Sequence, residues 1–397
     1  MPLPKRKSNS LLAPQIMKEH TLCPPCLGRQ FPHYRENLTN RERGSYLLAL
    51  RQSRTRSRTI KKCYICNGLM DRLNPLAAKI VKTAKGYEFR DFLVGALADL
   101  VVVEKEDLIR STYKLRGGEP LKSDLTRELG KILRHLLKKP VSYHKPDLVI
   151  TVGLPDEEIV LNPRPVFVSL RYRKEKRGIS QKIPRCQHCH GKGCIECDGS
   201  GASKITSIES IIQKHLLMIF AGEGVKINWI GGEDEESLVL GTGRPIYAEI
   251  TSPRTRAVKT TLFEEKGVKI RRIKVLKERF PTRVEFIVNY LVNIRSDTNL
   301  DKAKTKKLEA YFKDRTVKAI STKGKVSIKK VYQLESLRRT RNGSQLSITC
   351  DGGLNIKKFV SGEEDKVEPN LSHFLSGKFW ADPKKPFDIM RVTTNRR

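Results

Sequence analysis

The middle of the chain contains the stretch Ile227-Asn-Trp-Ile-Gly-Gly-Glu-Asp-Glu-Glu-Ser-Leu-Val-Leu-Gly-Thr-Gly-Arg-Pro245. Apolar residues on either side of it predict two strands, at 225–230 and 246–251. Between these strands lie four consecutive acids, then a glycine-containing turn, then Arg244. An acidic loop usually faces solvent, so the stretch gains meaning only from the charge of the rest of the chain.

That charge is strongly positive. The 397 residues include 78 Lys plus Arg and 43 Asp plus Glu, a net charge of +35. Such an excess indicates a polyanionic partner, with nucleic acid as the first candidate. In such a chain an acid-rich loop opposes RNA binding unless one acid has a chemical task.

Composition also limits the class of protein. An apolar fraction of 38% is enough for a folded core, and no apolar run reaches the length of a membrane span. The first residues have a charged head but no apolar segment of the kind found in secretion signals. We therefore expect a cytoplasmic protein, neither membrane-bound nor secreted.

The pattern of apolar residues predicts an α+β fold in two regions, with a boundary near 160–165. The first region has the pattern of a compact α+β unit. Its predicted elements are a strand at 86–95, an amphipathic helix at 125–137 with Ser123 or Asp124 as N-cap and Pro140 as its stop, and a strand at 147–152.

The second region is rich in predicted strands. A helix is expected at 207–220, and His215 on its apolar side is more typical of a core or boundary residue than of a metal ligand. The predicted strands lie at 166–173, 225–230, 246–251, 268–276, 284–294, 345–350 and 387–392.

Eight of the nine cysteines form four Cys-x-x-Cys pairs. Cys186, Cys189, Cys194 and Cys197 lie in two abutting copies of C-x-x-C-x-G-x-G, a spacing that brings four thiolates to one tetrahedral zinc ion. The glycines permit the positive φ angles that such turns need. With all four positions filled, the zinc would be structural, and free reduced thiols are the alternative.

The other two pairs are Cys23 with Cys26 and Cys63 with Cys66. A basic arm at 51–62, with six positive charges and no negative one, separates them. A split zinc ribbon tolerates such an insert, whereas a redox dithiol is the rival interpretation of a single pair. Cys350 is unpaired and is expected to be buried in a strand.

The central stretch resembles the motif G-R-E-D-x-D-x-R-x-L-G-x-G-R-P of the archaeal and eukaryotic tRNA pseudouridine synthases that carry a THUMP-type domain, the "Pus-ten" family. Asp234 stands at the position of the family's catalytic aspartate. The positions in register are Gly231, Glu233, Asp234, Leu240, Gly241, Gly243, Arg244 and Pro245.

Other blocks of the sequence carry the same resemblance. Residues 170–174 are similar to the family's G-R-Y-R-K, and Tyr290 opens a segment similar to its Y-x-A-x-V strand, whose tyrosine lines the uracil pocket. Residues 104–110 and 121–131 resemble the accessory domain. The double cysteine knuckle and the blocks at 352–362 and 369–372 also have counterparts in the family.

The resemblance implies a division of labour along the chain. Residues 1–162 would form an accessory RNA-binding domain, with a zinc-binding segment at 1–70 and a THUMP-like part at 71–162. Residues 163–397 would form a pseudouridine synthase domain with a mixed, mainly antiparallel sheet and a zinc knuckle at 186–201.

The resemblance also implies an activity: isomerisation of uridine to pseudouridine at T-loop positions 54, 55 or both, in tRNA. Asp234 would act on a flipped-out uridine. Zinc would be structural, with no organic cofactor, and the partner would be the T-arm of tRNA, with no membrane and no obligate protein partner. The implied substrate-binding residues are Tyr290, Asn355, Arg244, Arg171 and Lys357.

Two departures from the family motif leave alternatives open. The motif arginine is Gly232 here, with Arg244 as a possible electrostatic substitute, and the C-terminal pocket tyrosine is Asn355. One rival is a non-catalytic, zinc-stapled tRNA-binding or RNA-chaperone protein. A different THUMP-bearing enzyme is disfavoured because Gly241-Thr-Gly243 is too short for a cofactor-binding loop.

Overall fold

The computed structural model describes residues 9–49, 62–259, 262–298, 300–321, 324–340, 343–362 and 366–394. All but the last residue of the basic arm at 51–62 lies outside the described residues. The chain forms two compact units, divided between Arg164 and Pro165.

The N-terminal unit combines helices with a small sheet. Its elements are α1 (Ala13–Glu19), α2 (Pro24–Gly28), α3 (Asn40–Ala49), α4 (Leu73–Ala84), β1 (Phe92–Ala98), α5 (Leu100–Thr112), α6 (Leu121–Leu137), β2 (Leu148–Leu154) and β3 (Ile159–Pro163). β1 and β2 pair in parallel, and β3 pairs antiparallel with β2. α6 packs against α4 and β1, so its apolar stripe completes the core.

The predicted N-cap of α6 is wrong. The helix begins at Leu121 rather than after Ser123 or Asp124. The reason is a tertiary contact, because the backbone N–H of Leu121 donates to both carboxylate oxygens of Glu106 on α5, at 3.1 and 3.2 Å. A carboxylate near a helix N-terminus satisfies a free N–H and complements the helix dipole, so α5 caps α6 from outside.

The C-terminal unit is built on strands. Its elements are β4 (Val166–Lys174), α7 (Ile208–Phe220), β5 (Gly224–Trp229), β6 (Val239–Thr251), β7 (Leu262–Glu265), β8 (Val268–Val275), β9 (Phe286–Ser296), α8 (Lys302–Phe312), β10 (Arg315–Ile320), β11 (Val326–Thr340), β12 (Gly343–Asp351), α9 (Ile356–Ser361), β13 (Val367–Glu368), α10 (Leu371–Phe374), β14 (Phe379–Ala381) and β15 (Phe387–Thr394).

Within the described residues these strands join in one mixed sheet. Its order is β13-β10-β11-β12-β9-β15-β6-β4-β8-β7, with β14 beside β9 and β5 beside β6. Its pairings are antiparallel, with the exception of β15 with β6. The expected mixed, mainly antiparallel α+β architecture is confirmed.

The register of the sheet places three separate parts of the sequence in one row. Val239, just after the acidic loop, is opposite Ile389, which is opposite Tyr290, which is opposite Ile348. Neighbouring strands lie about 4.8 Å apart, so the backbones of Val239 and Tyr290 are about 10 Å apart. This row is the foundation of the site.

The helix and the strands predicted in this unit are present, most with ends shifted by one or two residues. The strand predicted at 246–251 begins at Val239, so the expected turn at Gly241-Thr-Gly243 is wrong and these residues lie within β6. Ser207 is the N-cap of α7: its hydroxyl accepts a hydrogen bond from the N–H of Ser210, and its own N–H donates to the hydroxyl of Ser210. His215 is buried against the ring of Phe263, as expected of a structural histidine. Cys350 is fully buried in β12, and burial raises the pKa of its thiol to about 12.

Among the described residues, no helix combines the length and the apolar character that a membrane span requires.

Candidate active site

A cleft of about 330 Å³ opens in the C-terminal unit at the row of residues described above. Four segments supply its walls: the acidic loop before β6, the first half of β9, the turn between β12 and α9 with the start of α9, and the first residue of β15. The lining residues are Gly231, Gly232, Glu233, Asp234, Phe286, Tyr290, Gly353, Leu354, Asn355, Ile356, Lys357 and Phe387.

Asp234 presents a carboxylate to this cleft. Its side chain is 27% exposed, and its Oδ2 lies 2.5 Å from the Nζ of Lys357 at the start of α9. Its Oδ1 accepts a hydrogen bond of 3.0 Å from the N–H of Glu236 two residues on, the local bond that aspartates favour in turns. One oxygen therefore holds the loop while the other meets the cation.

These contacts keep Asp234 ionised. Partial burial by itself raises the pKa of this carboxyl, but the ammonium group of Lys357 and the N–H of Glu236 outweigh it and lower the pKa below its usual value. The cleft thus holds a partly exposed, charged and oriented carboxylate, which is suited to act as a nucleophile or a base.

Glu233, the adjacent acid, points into the protein instead. Its side chain is fully buried, and its Oε2 accepts a hydrogen bond of 2.8 Å from the hydroxyl of Tyr172. Lys174 and Arg244, both fully buried, lie 3.5 and 3.4 Å from its oxygens. Burial and the charge of Glu233 raise the pKa of Tyr172 well above its ordinary value.

Lys174 holds the backbone of the loop. Its ammonium group donates to the carbonyl oxygens of Ile179, Asp234 and Glu235, at 3.1, 2.9 and 3.1 Å. Burial lowers its pKa, although Glu233 opposes the shift. A lysine has three donors and no acceptor, so all donors of Lys174 are used in these hydrogen bonds. Lys174 therefore supports the backbone of the loop from its buried side.

Arg177 ties the other end of the loop to β15. Its guanidinium group donates to the carbonyl of Glu236 and makes two hydrogen bonds, of 2.7 and 2.8 Å, with the carboxylate of Asp388. Asp388 also accepts the N–H of Leu238 at 2.9 Å. Such bidentate pairs combine strength with fixed geometry.

Arg244, expected to contact substrate, lies behind the loop rather than in the cleft wall. Its side chain is fully buried and donates to the carbonyl oxygens of Ile230 and Gly232, at 2.6 and 2.9 Å. The space beside Gly232, where the family motif has arginine, is therefore not filled by Arg244. The position of Arg244 fits support of the loop, not direct contact with a nucleotide.

Arg171 is also occupied within the protein. Its guanidinium group donates to the carbonyl oxygens of Thr242, Gly243 and Val392, at 2.9, 2.9 and 2.6 Å. Its side chain does not line the cleft. Residues 164–185 hold eight positive charges and one negative charge, and Arg171, Lys174 and Arg177 are among them. Part of the positive charge of this segment therefore serves the fold.

Tyr290 lines the cleft from the centre of β9. Its ring is 5% exposed and packs edge-to-face with Phe387, with centroids 5.4 Å apart. Burial raises the pKa of its hydroxyl, so the phenol stays neutral. Two flat apolar rings beside a carboxylate form a surface on which a planar base can rest.

Phe286 is a cleft residue that the sequence did not single out. Its ring packs between the acidic loop and the turn after β12, where a Cβ at Gly231 or Gly352 would come within 2.7 or 2.3 Å of it. Gly231 also has a φ of 79°, a conformation that glycine adopts without strain. The resemblance to the family motif includes Gly231 and Gly352, but it gave no indication that Phe286 contacts both glycines.

Asn355 stands at the mouth of the cleft. It is the N-cap of α9, and its Oδ1 accepts a hydrogen bond of 3.1 Å from the N–H of Lys358. The side-chain amide is exposed and adjoins Lys357. The cap orients the first turn of α9 and thereby the lysine that meets Asp234.

The cysteines of the knuckle come together as the spacing predicts. The Sγ atoms of Cys186 and Cys194, and of Cys189 and Cys197, are 3.8 Å apart. A tetrahedral zinc site with Zn–S bonds of about 2.3 Å has sulfur atoms about 3.8 Å apart, whereas a disulfide needs about 2.05 Å. The donor set therefore fits a metal ion.

Both repeats of the knuckle use the same backbone device. The N–H of Gly193 donates to the Sγ of Cys189, and the N–H of Gly201 to the Sγ of Cys197, each at 3.2 Å. Gly193 and Gly201 have φ angles of 93° and 70°. The glycines thus adopt the expected positive φ and stabilise thiolates with N–H donors.

The N-terminal cysteines form a second group. Cys23, Cys26, Cys63 and Cys66 are all buried, and their Sγ atoms lie within 4.8 Å of one another. Cys23 and Cys66 are 3.6 Å apart. The two distant pairs therefore converge on a site that also fits a metal ion.

Comparisons with known proteins agree with these features. The model of the archaeal Pus10 THUMP domain matches residues 76–153, and the model of the Pus10 C-terminal domain matches residues 167–392. Among solved structures, a Cbf5–Nop10–Gar1 complex matches 46% of this chain and 45% of that chain with a TM-score of 0.28 and 12% identity, a likeness too low to carry an argument.

Relatives with similar sequences cover almost the whole chain. The tRNA pseudouridine synthase Pus10 of Nitrosopumilus maritimus is 32% identical over 92% of this chain and 93% of its own length. The protein of the same name from Pyrococcus furiosus is 30% identical over 93% of this chain and 95% of its own length. The chain therefore belongs to the Pus10 family of pseudouridine synthases, which are isomerases.

Proposed function

We propose that this protein isomerises uridine to pseudouridine in the T-loop of cytoplasmic tRNA, with Asp234 as the catalytic residue. The observation that carries the proposal is the oriented, ionised carboxylate of Asp234 in a cleft that also presents the ring of Tyr290. The names of the relatives support tRNA as the substrate.

The reaction breaks the bond between C1′ and N1, turns the uracil, and joins C1′ to C5. The proton displaced from C5 is lost and N1 gains a proton, so the net change is an isomerisation. A stacked base must first leave the RNA and enter the cleft, at a cost of a few kcal/mol. Phe387 and Tyr290 offer apolar surface that offsets this cost. The carboxylate of Asp234 then acts as a nucleophile at C1′ or C6, or as a base in a glycal route.

Lys357 has two consequences for this chemistry. Its ammonium group keeps Asp234 deprotonated, and it stands beside the position that the reacting nucleotide occupies. With 48% of its side chain exposed, it is free to exchange a contact with Asp234 for one with a phosphate. Asn355 fixes its place by capping α9.

The test compares Asp234→Asn with Glu235→Gln on an unmodified tRNA transcript. Both changes remove one charge from the same loop, but the side chain of Glu235 is exposed and not among the cleft residues. We expect Asp234→Asn to lower the rate by at least about 10³-fold, since it removes the reacting group. Glu235→Gln should stay within about threefold of the wild type.

Mapping of pseudouridine in the product by base-specific chemistry distinguishes the outcomes. Pseudouridine in the T-loop, absent with Asp234→Asn, supports the proposal. Activity that survives in Asp234→Asn contradicts the role of Asp234. Tight binding of tRNA without pseudouridine in the wild type would instead support a non-catalytic RNA-binding protein, which the departures at Gly232 and Asn355 keep open.

We also propose that each cysteine group binds one zinc ion with a structural role. Support comes from the sulfur spacing and from the filling of four positions, which leaves none for substrate. Metal analysis should find two zinc ions per chain and one in Cys186→Ser/Cys189→Ser. An unchanged zinc content in that variant would contradict the assignment.

A further inference from the structure

A second cleft, of about 240 Å³, lies in the C-terminal unit where α8 crosses β11. Lys302 and Lys306 line it from α8, and Leu337 and Arg338 line it from β11. None of these residues belongs to the catalytic cleft. Three cationic side chains, Lys302, Lys306 and Arg338, thus lie around the apolar side chain of Leu337.

An irregularity in β11 creates this arrangement. Ser336 is opposite Leu346 and Arg338 is opposite Gln345, so Leu337 is an extra residue in the strand. Such a β-bulge turns side chains away from their regular direction. Leu337 is consequently 56% exposed, an unusual position for leucine in a sheet.

The helix stabilises the bulge with its only nearby acid. The carboxylate of Glu309 accepts the N–H of Ser336 at 2.8 Å, a donor that lies at the break in the ladder. Glu309 is thereby engaged with the backbone. Within the described part of the chain, no ion pair is found for Lys302, Lys306 or Arg338.

The two lysines on α8 are placed unfavourably with respect to each other. Lys302 and Lys306 are four residues apart, so they lie on the same face of α8 and repel each other. A polyanion placed in the cleft would remove that repulsion and pair with Arg338. The exposed leucine would meet the sugar or base that accompanies each phosphate.

The distance to the catalytic cleft limits what the anion can be. Lys329, also on β11, donates at 2.8 Å to the carbonyl of Gly352, next to the cleft residue Gly353. Leu337 lies eight residues further along this strand, a distance of about 26 Å. A ligand that occupies both clefts must be long and polyanionic.

We propose that the cleft between α8 and β11 binds the phosphodiester backbone of the tRNA whose uridine enters the catalytic cleft. The identity of the RNA rests on the proposed function. An acidic protein is disfavoured as occupant because the excess of positive charge in residues 165–397 extends well beyond this cleft, as binding of a polynucleotide requires.

The test uses two matched double variants of one helix. Lys302→Ala/Lys306→Ala removes the two lysines that line the cleft, and Lys304→Ala/Lys307→Ala removes two exposed lysines that do not. Both keep the helix, since alanine has the highest helix propensity. Binding of unmodified tRNA and formation of pseudouridine are measured between 0.05 and 0.3 M salt.

We expect the first variant to raise the Kd and the KM for tRNA roughly 20-fold at about 0.1 M salt, and to reduce the slope of log K against log salt by about 1.5. Its kcat at saturating tRNA should equal that of the wild type. The second variant should change Kd less than about threefold. A trinucleotide centred on a uridine, too short to reach from the catalytic cleft to this one, should bind all three proteins equally.

Equal losses in the two variants would overturn the proposal, because they would show general attraction rather than a site. A loss of binding to the short RNA in the first variant alone would also overturn it. If polyglutamate binding depended on Lys302 and Lys306 while tRNA binding did not, the cleft would serve a protein. Because tRNA binding is measured apart from turnover, a wild type that binds but makes no pseudouridine would overturn only the proposed function.

Discussion

The charged side chains on the two sides of the loop at 231–236 differ in burial. Behind the loop, the side chains of Glu233, Lys174 and Arg244 are fully buried. The carboxylate oxygens of Glu233 lie 3.5 Å from the Nζ of Lys174 and 3.4 Å from the Nε of Arg244. In front of it, Asp234 and Lys357 form one pair that is 27% and 48% exposed. Of two neighbouring acids, Glu233 is thus a buried structural support and Asp234 is a partly exposed carboxylate in the cleft.

The difference shows how the carboxylate of Asp234 is kept in place. Buried charges must be paired and hydrogen-bonded, because an isolated one costs several kcal/mol. Lys174 and Arg244 satisfy this condition and also bind the backbone on both sides of Glu233. Asp234 can therefore exchange partners at the surface without the loop losing its shape.

The largest expected effect comes from breaking the buried side. Glu233→Ala leaves two buried cations without their carboxylate and should lower the free energy of unfolding by about 3–5 kcal/mol. Chemical denaturation measures this change. Activity should fall as well, since the loop loses its support. A loss below about 1 kcal/mol would show that solvent reaches the cluster.

The double variant Glu233→Leu/Lys174→Met is the control for that experiment. Replacing two buried partners with apolar residues of similar size is often close to neutral for stability. Stability should recover by at least half while activity stays low, because Lys174 no longer holds the carbonyls of Asp234 and Glu235. If stability and activity recovered together, the buried cluster would not be needed to position the loop.

The exposed side should respond in activity and not in stability. Lys357→Met is expected to lower kcat/KM about 10- to 100-fold, since it removes a charge beside the reacting carboxylate. The free energy of unfolding should change by less than about 1 kcal/mol, as for other exposed pairs. Lys358→Met, on the same turn but outside the lining of the cleft, is the matched comparison. Equal losses in the two variants would contradict a specific role for Lys357.

A pH profile gives the finest distinction. Because the pKa of Asp234 is lowered in the folded protein, its ionised form persists below the ordinary carboxyl value of about 3.9. The acid limb of kcat/KM should therefore lie below that pH, and the small stability from the pair should be lost as pH falls through the folded pKa.

In Lys357→Met the acid limb should move to higher pH. Burial, which raises the pKa of Asp234, is then opposed by the N–H of Glu236 and the more distant Lys174 without the stronger help of Lys357. Glu235→Gln should leave the limb where it is. A limb that stays in place in Lys357→Met would show that Asp234 does not control it.

The sequence indicated many of the residues near the site, but not which of them line the cleft and which support the backbone behind it. Spacing and resemblance marked Asp234, Tyr290 and Lys357, which the structure brings to one cleft. The same reasoning treated Arg244 and Arg171 as contacts for RNA, although both donate to carbonyls of their own chain. Charge in a sequence does not say which way a side chain points.

The fold shows a similar boundary. Several strands after residue 163 and the helix at 207–220 were readable because the period of apolar residues is a local signal. The start of α6 was not, because its cap is the carboxylate of Glu106 from another helix. The bulge at Leu337 was equally hidden, since a register shift appears only when two strands pair.

The sequence by itself determined the family, the α+β class and the pairing of cysteines into two groups, because these depend on spacing along one chain. Only the tertiary structure decided that Glu233 is buried and Asp234 exposed, since successive residues of a loop turn to different sides of the chain. The physical reason is the cost of burying charge: Lys174 and Arg244 make the interior acceptable for Glu233, and Asp234 is left for the cleft.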